Sequence, residues 1–467
     1  MVDKNLQVLR EVGDIESAMW LTDRATPINI CFIAEISGTL EMETLRQALR
    51  FVQKRHALLR VRVLLDRSRL FFAGWEGENH PPIPLRSAPA SMGSWVEVAE
   101  EEISTPFDTQ HGLLVRCTVI PRAHGMTLLL TLHHMIGDGL SASYLVRDIL
   151  RSCDRMRMGA SGELAVLELP LPMERHLPDG ISSRGMGGMM HISREWWKQR
   201  KRCQQLGERH RGLRVECEAP FLARRRRILP LRFSPEVTAR IRQRAREEKT
   251  TVHGALGAAL CLALYPDLVE GGERAVMGLG SPVNLRKRLN PPVDGNCALY
   301  AALSSTFHQI SGQTELWELA REIRRETVAS VERGRPFALA LMAGYLGRNR
   351  VLLPFDEKGV ARNARLSERV VRASVSTGLT NIGEVKVEPA LETLTLESAS
   401  FVPSQAFFGF VAATACTVHD TLSVNFLVTE PMVDPARGRV IANRLRAEIL
   451  KSQQSPAIPP RSAATGD

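Results

Sequence analysis

The chain contains no run of about 18 apolar residues, the length needed to cross a bilayer, although apolar types fill 44% of its 467 positions. Its first residues, Met1-Val2-Asp3-Lys4-Asn5, lack the basic, apolar and small-residue order of a secretion signal. A cytoplasmic protein without stable membrane insertion is therefore expected. Aromatic residues make up only 5%, too few for the stacking platforms that hold single-stranded nucleic acid. The formal charge of +10 and pI near 9.5 thus do not point to nucleic acid as the partner. The eight cysteines, Cys31, Cys117, Cys153, Cys203, Cys217, Cys261, Cys297 and Cys416, are dispersed, with no CxxC or histidine-rich spacing. Neither a disulfide framework nor a metal site is expected from such a distribution. A G-x-S-x-G elbow is also missing: around Ser281, the nearest candidate, Leu279 and Val283 stand where the glycines belong. That removes the usual setting of a serine hydrolase.

Histidine is scarce too, 12 in all, which sets off the segment His133-His134-Met135-Ile136-Gly137-Asp138-Gly139. It follows the apolar run Met126 to Leu132, which reads as a strand buried on both faces. After it, Tyr144, Leu145, Ile149 and Leu150 recur at helical spacing. The order strand, tight turn, helix places the histidines at the strand's end. Gly137 and Gly139 suit the turn, because a residue without a β-carbon can take positive φ or let neighbours approach closely. A neutral imidazole at His134 could take a proton from a hydroxyl or amine attacking an acyl carbonyl, then return it to a leaving thiolate. Asp138 could accept from the turn's backbone or pair with a distant arginine. The structural alternative is a hydrogen-bonded histidine pair before a turn-forming Asp-Gly.

His133 through Gly139 resembles the HHxxxDG motif of the chloramphenicol acetyltransferase-like superfamily. That superfamily includes nonribosomal condensation domains, plant BAHD acyltransferases, wax ester synthases and polyketide-associated O-acyltransferases. Further stretches carry the resemblance along the chain: Leu45 to Leu49 with Arg55 to Arg60, Pro106-Phe107-Asp108 with Gly112 to Arg116, Pro282 to Arg286, and Asn381-Ile382-Gly383. The DFGWG motif of the plant branch is absent, its nearest counterpart being Phe407-Phe408-Gly409-Phe410, and wax ester synthase signatures are not evident. The chain is most similar to stand-alone bacterial O-acyltransferases and condensation-like proteins.

The resemblance implies an α/β (α+β) fold of two sandwich domains with mostly antiparallel sheets around a central tunnel. It implies His134 as catalytic base, Asp138 as a structural residue, and His133 and Gly139 as members of the motif. Arg286 is implied as the partner of Asp138, although Arg286-Lys287-Arg288 also reads as a basic surface turn. Among Ser374, Ser376, Thr377 and Asn381, Asn381 is the first choice to stabilise an oxyanion. Domains are expected at residues 1–175 and 196–467, with a linker or crossing loop at 176–195, where glycine, proline and methionine replace periodicity.

Basic clusters occur at Arg200 to Arg202, Arg209 to Arg214, Arg224 to Arg227 and Arg286 to Arg288. They suit coenzyme A phosphates or an acidic acyl carrier protein, or are solvated surface. Lys287 and Arg288 are the expected donor contacts, and Arg224 to Arg227 could simply lead into an edge strand. The expected reaction is transfer from acyl-CoA or an acyl carrier thioester to a small hydroxyl acceptor, by a monomer without a resident cofactor. The alternatives are an amine acceptor, or a non-catalytic module that binds a carrier protein.

Overall fold

The computed structural model describes residues 6–75, 80–89, 94–179, 181, 185–206, 212–269, 274–348, 354–387, 389–404 and 410–453. Three sheets organise them, and the strand pairs are mostly antiparallel, as expected. In the first half a five-stranded sheet runs Thr395–Pro403, Asn29–Ser37, Gly125–His133, Val115–Arg122, Leu85–Ser87. Its centre explains why Met126 to Leu132 carries no polar alternation. The helices Met42–Arg55 and Gly139–Arg157 pack on one side, and Trp95–Ser104 on the other. Every residue from Met126 to His133 is consequently buried. Covering both faces of a strand removes the pressure for one polar face. A small sheet of Leu6–Glu11, Arg69–Trp75 and Val61–Asp66 flanks this core.

The second half is built on a six-stranded sheet in the order Ala301–Ile310, Ala275–Asn284, Thr377–Glu384, Val411–Val418, Thr421–Glu430, Arg225–Phe233. The helices Pro235–Glu247, Val252–Leu264 and Pro435–Lys451 belong to its layers. The first of these starts on a capped turn: Ser234 Oγ accepts from Val237 N at 3.4 Å, with proline in the first turn. Arg225–Phe233 is an edge strand, the structural alternative for the arginine run.

Local pattern fails in three places. Val370 and Val371, two successive β-branched residues, lie in the helix Glu357–Ser374 against their strand preference. The stretch 176–195, a linker by composition, contains the start of a long helix, Gly185–Gln205. The strand Thr395–Pro403, which by position belongs to the 196–467 half, pairs antiparallel with Asn29–Ser37 and so completes the sheet of the other half. No local signal in a strand names its neighbour, which is why this exchange is invisible in the sequence. Phe407-Phe408-Gly409 and part of the Arg209 to Arg214 cluster lie outside the described residues.

Candidate active site

The strand ending at His133 passes into a single 3-10 turn, His134–Ile136, before the helix Gly139–Arg157 begins. This turn sends the two histidines into different surroundings. His133 is fully buried: Nδ1 accepts from Met135 N at 3.1 Å, and Nε2 stands 3.3 Å from Asp23 Oδ1. Nδ1 is thus held by a hydrogen bond, and Nε2 faces the carboxylate without a hydrogen bond to it. Its backbone N–H donates to Leu114 O at 2.9 Å. The geometry therefore makes His133 a fixture of the turn.

His134 keeps part of its surface open, while Nδ1 is buried. Its backbone N–H donates to Ile28 O at 2.8 Å, tying the turn to the neighbouring strand. Burial lowers the imidazole's pKa below its ordinary value and outweighs the Asp138 charge and the backbone groups of His134 and Gly137, which act oppositely. The ring is consequently neutral at pH 7, the state in which it can accept a proton.

Asp138 is the residue that holds the turn. It caps the helix, Oδ1 accepting from Ser141 N at 2.9 Å, and Oδ2 accepts from Tyr300 N at 3.1 Å. Arg286 grips the same carboxylate with both arms, Nη1 to Oδ2 at 2.9 Å and Nη2 to Oδ1 at 3.1 Å. The guanidinium also donates to Ser141 Oγ at 2.8 Å and to Ala298 O at 3.0 Å. It lies between the rings of Tyr144 and Tyr300, 5.7 and 5.4 Å from their centroids. Burial raises the Asp138 pKa, but the charge and hydrogen bonds of Arg286 dominate and hold it below the usual carboxylate range. Of the two readings of Arg286, the surface turn is excluded, since the residue is 1% exposed.

The two glycines serve close approach and not positive φ. Neither is left-handed, and Gly137 is extended at φ −173°. A β-carbon at Gly139 would sit 3.2 Å from Phe401 Cε2 and 3.3 Å from Ile382 Cγ2. The strand exchanged between halves and the Asn381-Ile382-Gly383 stretch thus both press on the motif. Asn381 uses its Oδ1 to accept from Gly383 N at 2.8 Å. Ser376 and Thr377 are likewise engaged with backbone: Ser376 Oγ accepts from Gly278 N at 3.0 Å, and Thr377 Oγ1 donates to Val411 O at 3.0 Å. The side chain of Ser374 lies outside the described residues.

Lys287 and Arg288 follow Arg286 in a 3-10 turn, and both are exposed. The Arg224 to Arg227 cluster is different. Arg224 pairs with Glu368 at 3.1 Å, and Arg227 with Glu100 and Glu430 at 2.7 and 2.8 Å. Arg226 is 2% exposed, its nitrogens making no hydrogen bond, and burial lowers its pKa to about 9. The cluster is thus largely consumed within the fold, and only Arg225 among its four members is both exposed and without an ion pair among the described contacts. Ser141, Tyr300 and Ala298, all bound to the Asp138–Arg286 pair, do not stand out in the sequence. The only available signal was Ser141 three residues after a capping aspartate, since the other two act through backbone atoms.

Two interlocked halves with a histidine turn clamped between them define a condensation-type fold. Residues 20–295 match the condensation domain model, so the chain belongs to the condensation domain family. Residues 223–427 match a second model, the phthiocerol/phthiodiolone dimycocerosyl transferase C-terminus. The fold is shared with polyketide synthase associated protein 5 from Mycobacterium tuberculosis (15% identity, TM-score 0.64, covering 96% of this chain and 98% of that one). It is also shared with the TRI3 trichothecene 15-O-acetyltransferase of Fusarium sporotrichioides (13%, TM-score 0.69, 96% of each chain). Among curated relatives, a linear gramicidin synthase of Brevibacillus parabrevis is 29% identical over 174 residues, 33% of this chain and 3% of that protein. Phosphinothricin tripeptide synthetase PhsC of Streptomyces viridochromogenes is 25% identical over 352 residues, 68% of this chain and 29% of that protein. The chain therefore spans only a small part of the curated relatives it matches.

Proposed function

We propose that this protein transfers an acyl group from a thioester, on coenzyme A or an acyl carrier protein, to a hydroxyl acceptor. The observation that carries this reading is a neutral, partly open His134 on a turn whose other polar anchors, His133 and Asp138, are engaged. With Nδ1 buried, Nε2 is the nitrogen proposed to meet substrate. The acceptor oxygen attacks the thioester carbonyl carbon as its proton passes to Nε2. The tetrahedral adduct then collapses with cleavage of the C–S bond, and the imidazolium returns the proton to the departing thiolate. Ester and free thiol result, and the histidine ends as it began.

His134 would need no carboxylate partner of its own, because Asp138 is spent on Arg286, Ser141 and Tyr300. The Asn381 amide, whose oxygen is already fixed, is the proposed donor to the developing oxyanion. Lys287 and Arg288 would meet the phosphate of the donor. An amine acceptor is the second reading, favoured by the peptide synthetases among the relatives. Incubation with acyl-CoA or acyl-carrier thioesters and mixed acceptors, followed by mass spectrometry, tests both. An ester product cleaved by mild alkali supports the first reading, an alkali-stable amide the second, and absence of transfer from any donor rejects both.

A further inference from the structure

The helix Gly185–Gln205 is oriented against the usual rule, with its polar stripe inward and its apolar stripe outward. Gly188, His191 and Glu195 are buried. His191 Nε2 lies 3.2 Å from the Gly334 carbonyl, and Arg202 reaches Glu322 and Glu326 at 3.3 and 3.7 Å. These contacts fix the helix to the body of the molecule by its polar side. On the other side Met186, Met189, Met190, Trp196 and Trp197 are 82, 51, 68, 52 and 65% exposed. At 100° per residue Met186, Met190 and Trp197 fall on one line, with Met189 and Trp196 along one edge. Five large apolar side chains on one solvent-facing stripe mark an interaction surface, since single exposed apolar residues are normal but contiguous ones are not.

Charge narrows the partner. The helix has one acidic residue, Glu195, buried and paired with Arg194 and Lys198 at 3.5 and 2.8 Å; Arg200 and Lys201 are exposed as well. Arg200 stacks over Trp196, 5.6 Å from the ring centroid. A second copy docking here would bring like charges together on a chain already at +10. Tryptophan and methionine with arginine and lysine among and beside them, and no exposed acid, is the composition of a helix lying in a lipid headgroup layer. No helix of the described residues is long and apolar enough to cross a membrane, so the contact would be peripheral. We propose that this face binds reversibly to an anionic lipid surface, independently of the acyl-transfer reading.

The full chain is mixed with vesicles of phosphatidylcholine alone or with added phosphatidylglycerol, and binding is followed by flotation and by quenching of tryptophan with brominated lipid. Binding should be at least about tenfold stronger to the anionic vesicles and weaken with salt. Met190→Ser with Trp197→Ser should abolish flotation and quenching on both vesicle types. Arg200→Gln with Lys201→Gln should remove the preference for anionic lipid. Because all four side chains are exposed, circular dichroism and thermal unfolding should be unchanged. Failure of the wild type to float, or flotation insensitive to both variants, overturns the proposal. So does a stripe-dependent dimer, or stripe-dependent binding to an acidic carrier protein, without vesicle binding.

Discussion

His133 and His134 share a peptide bond but not an environment, and single substitutions should separate them. His133 is wedged between Met135 N and Asp23 with no exposed surface. His133→Ala should lower stability, read as a drop in Tm, because it leaves the buried Met135 N–H without its acceptor. His134→Ala should leave Tm nearly unchanged and lower kcat about a hundredfold or more, the usual loss for a general base. Equal turnover in wild type and His134→Ala would remove the proposed base. The pH profile carries a second test. Burial lowers the His134 pKa, so the acid limb of kcat/KM should fall below the ordinary imidazole value of about 6.5. For stability the sign is the same. The folded form binds the proton more weakly than the unfolded chain, so this contribution is intact above about 6.5 and is lost as pH falls through the lowered folded pKa. Asp138, also lowered, repeats this further down: its contribution is intact above about 3.9 and disappears as pH drops through its folded value.

Strand, turn and helix around His134 are readable because each rests on local chemistry: an apolar run, two glycines, and a capping aspartate before a helical repeat. The pairing of Asp138 with Arg286, 148 residues apart, is available only through resemblance. The backbone of Tyr300 and Ala298, which completes the clamp, is not legible at all, and Ser141 is legible only as the third residue after a capping aspartate. The strand Thr395–Pro403 shows the same limit, since the same residues would have suited an edge of either sheet. Two predictions belong to this level. Asp138→Asn and Arg286→Ala should each destabilise the fold by about 3–5 kcal/mol if the remaining group is left buried without its partner. The double variant should be less damaged than the sum, with an interaction of about 0.5–3 kcal/mol in denaturant titrations; simple additivity would break the pairing argument. Gly139→Ala probes the interlock itself. A methyl there meets Phe401 and Ile382 at 3.2 and 3.3 Å, so the exchanged strand or the turn must shift. Overpacking of this kind costs about 1–3 kcal/mol, and kcat/KM should fall while the circular dichroism spectrum stays that of the wild type.

Across the whole molecule, the excess of positive charge is not one surface. Part is spent in the molecule's own ion pairs, buried in the Arg286 clamp and at Arg224, and at the surface at Arg227. Part lies on the Gly185–Gln205 helix. The charge proposed to meet the acyl donor is that of Lys287 and Arg288, exposed on the turn that Arg286 anchors beside the motif. Arg286 links these charges to the motif, because its backbone is adjacent to theirs while its guanidinium is fixed on Asp138. If they meet a donor phosphate, Lys287→Glu with Arg288→Glu should raise KM for the thioester severalfold and flatten its dependence on ionic strength. The turnover number should hardly change, since groups that bind substrate and transition state alike move KM and leave kcat alone. Charge reversal at Arg225 is the matched control: it adds the same kind of charge at the far edge strand of the second sheet. Arg226 cannot serve, because it is buried, and a new carboxylate there would test folding instead of donor binding. Thioester KM unmoved by the Lys287 and Arg288 reversal, but raised at Arg225, would place the donor port at the opposite side of that sheet.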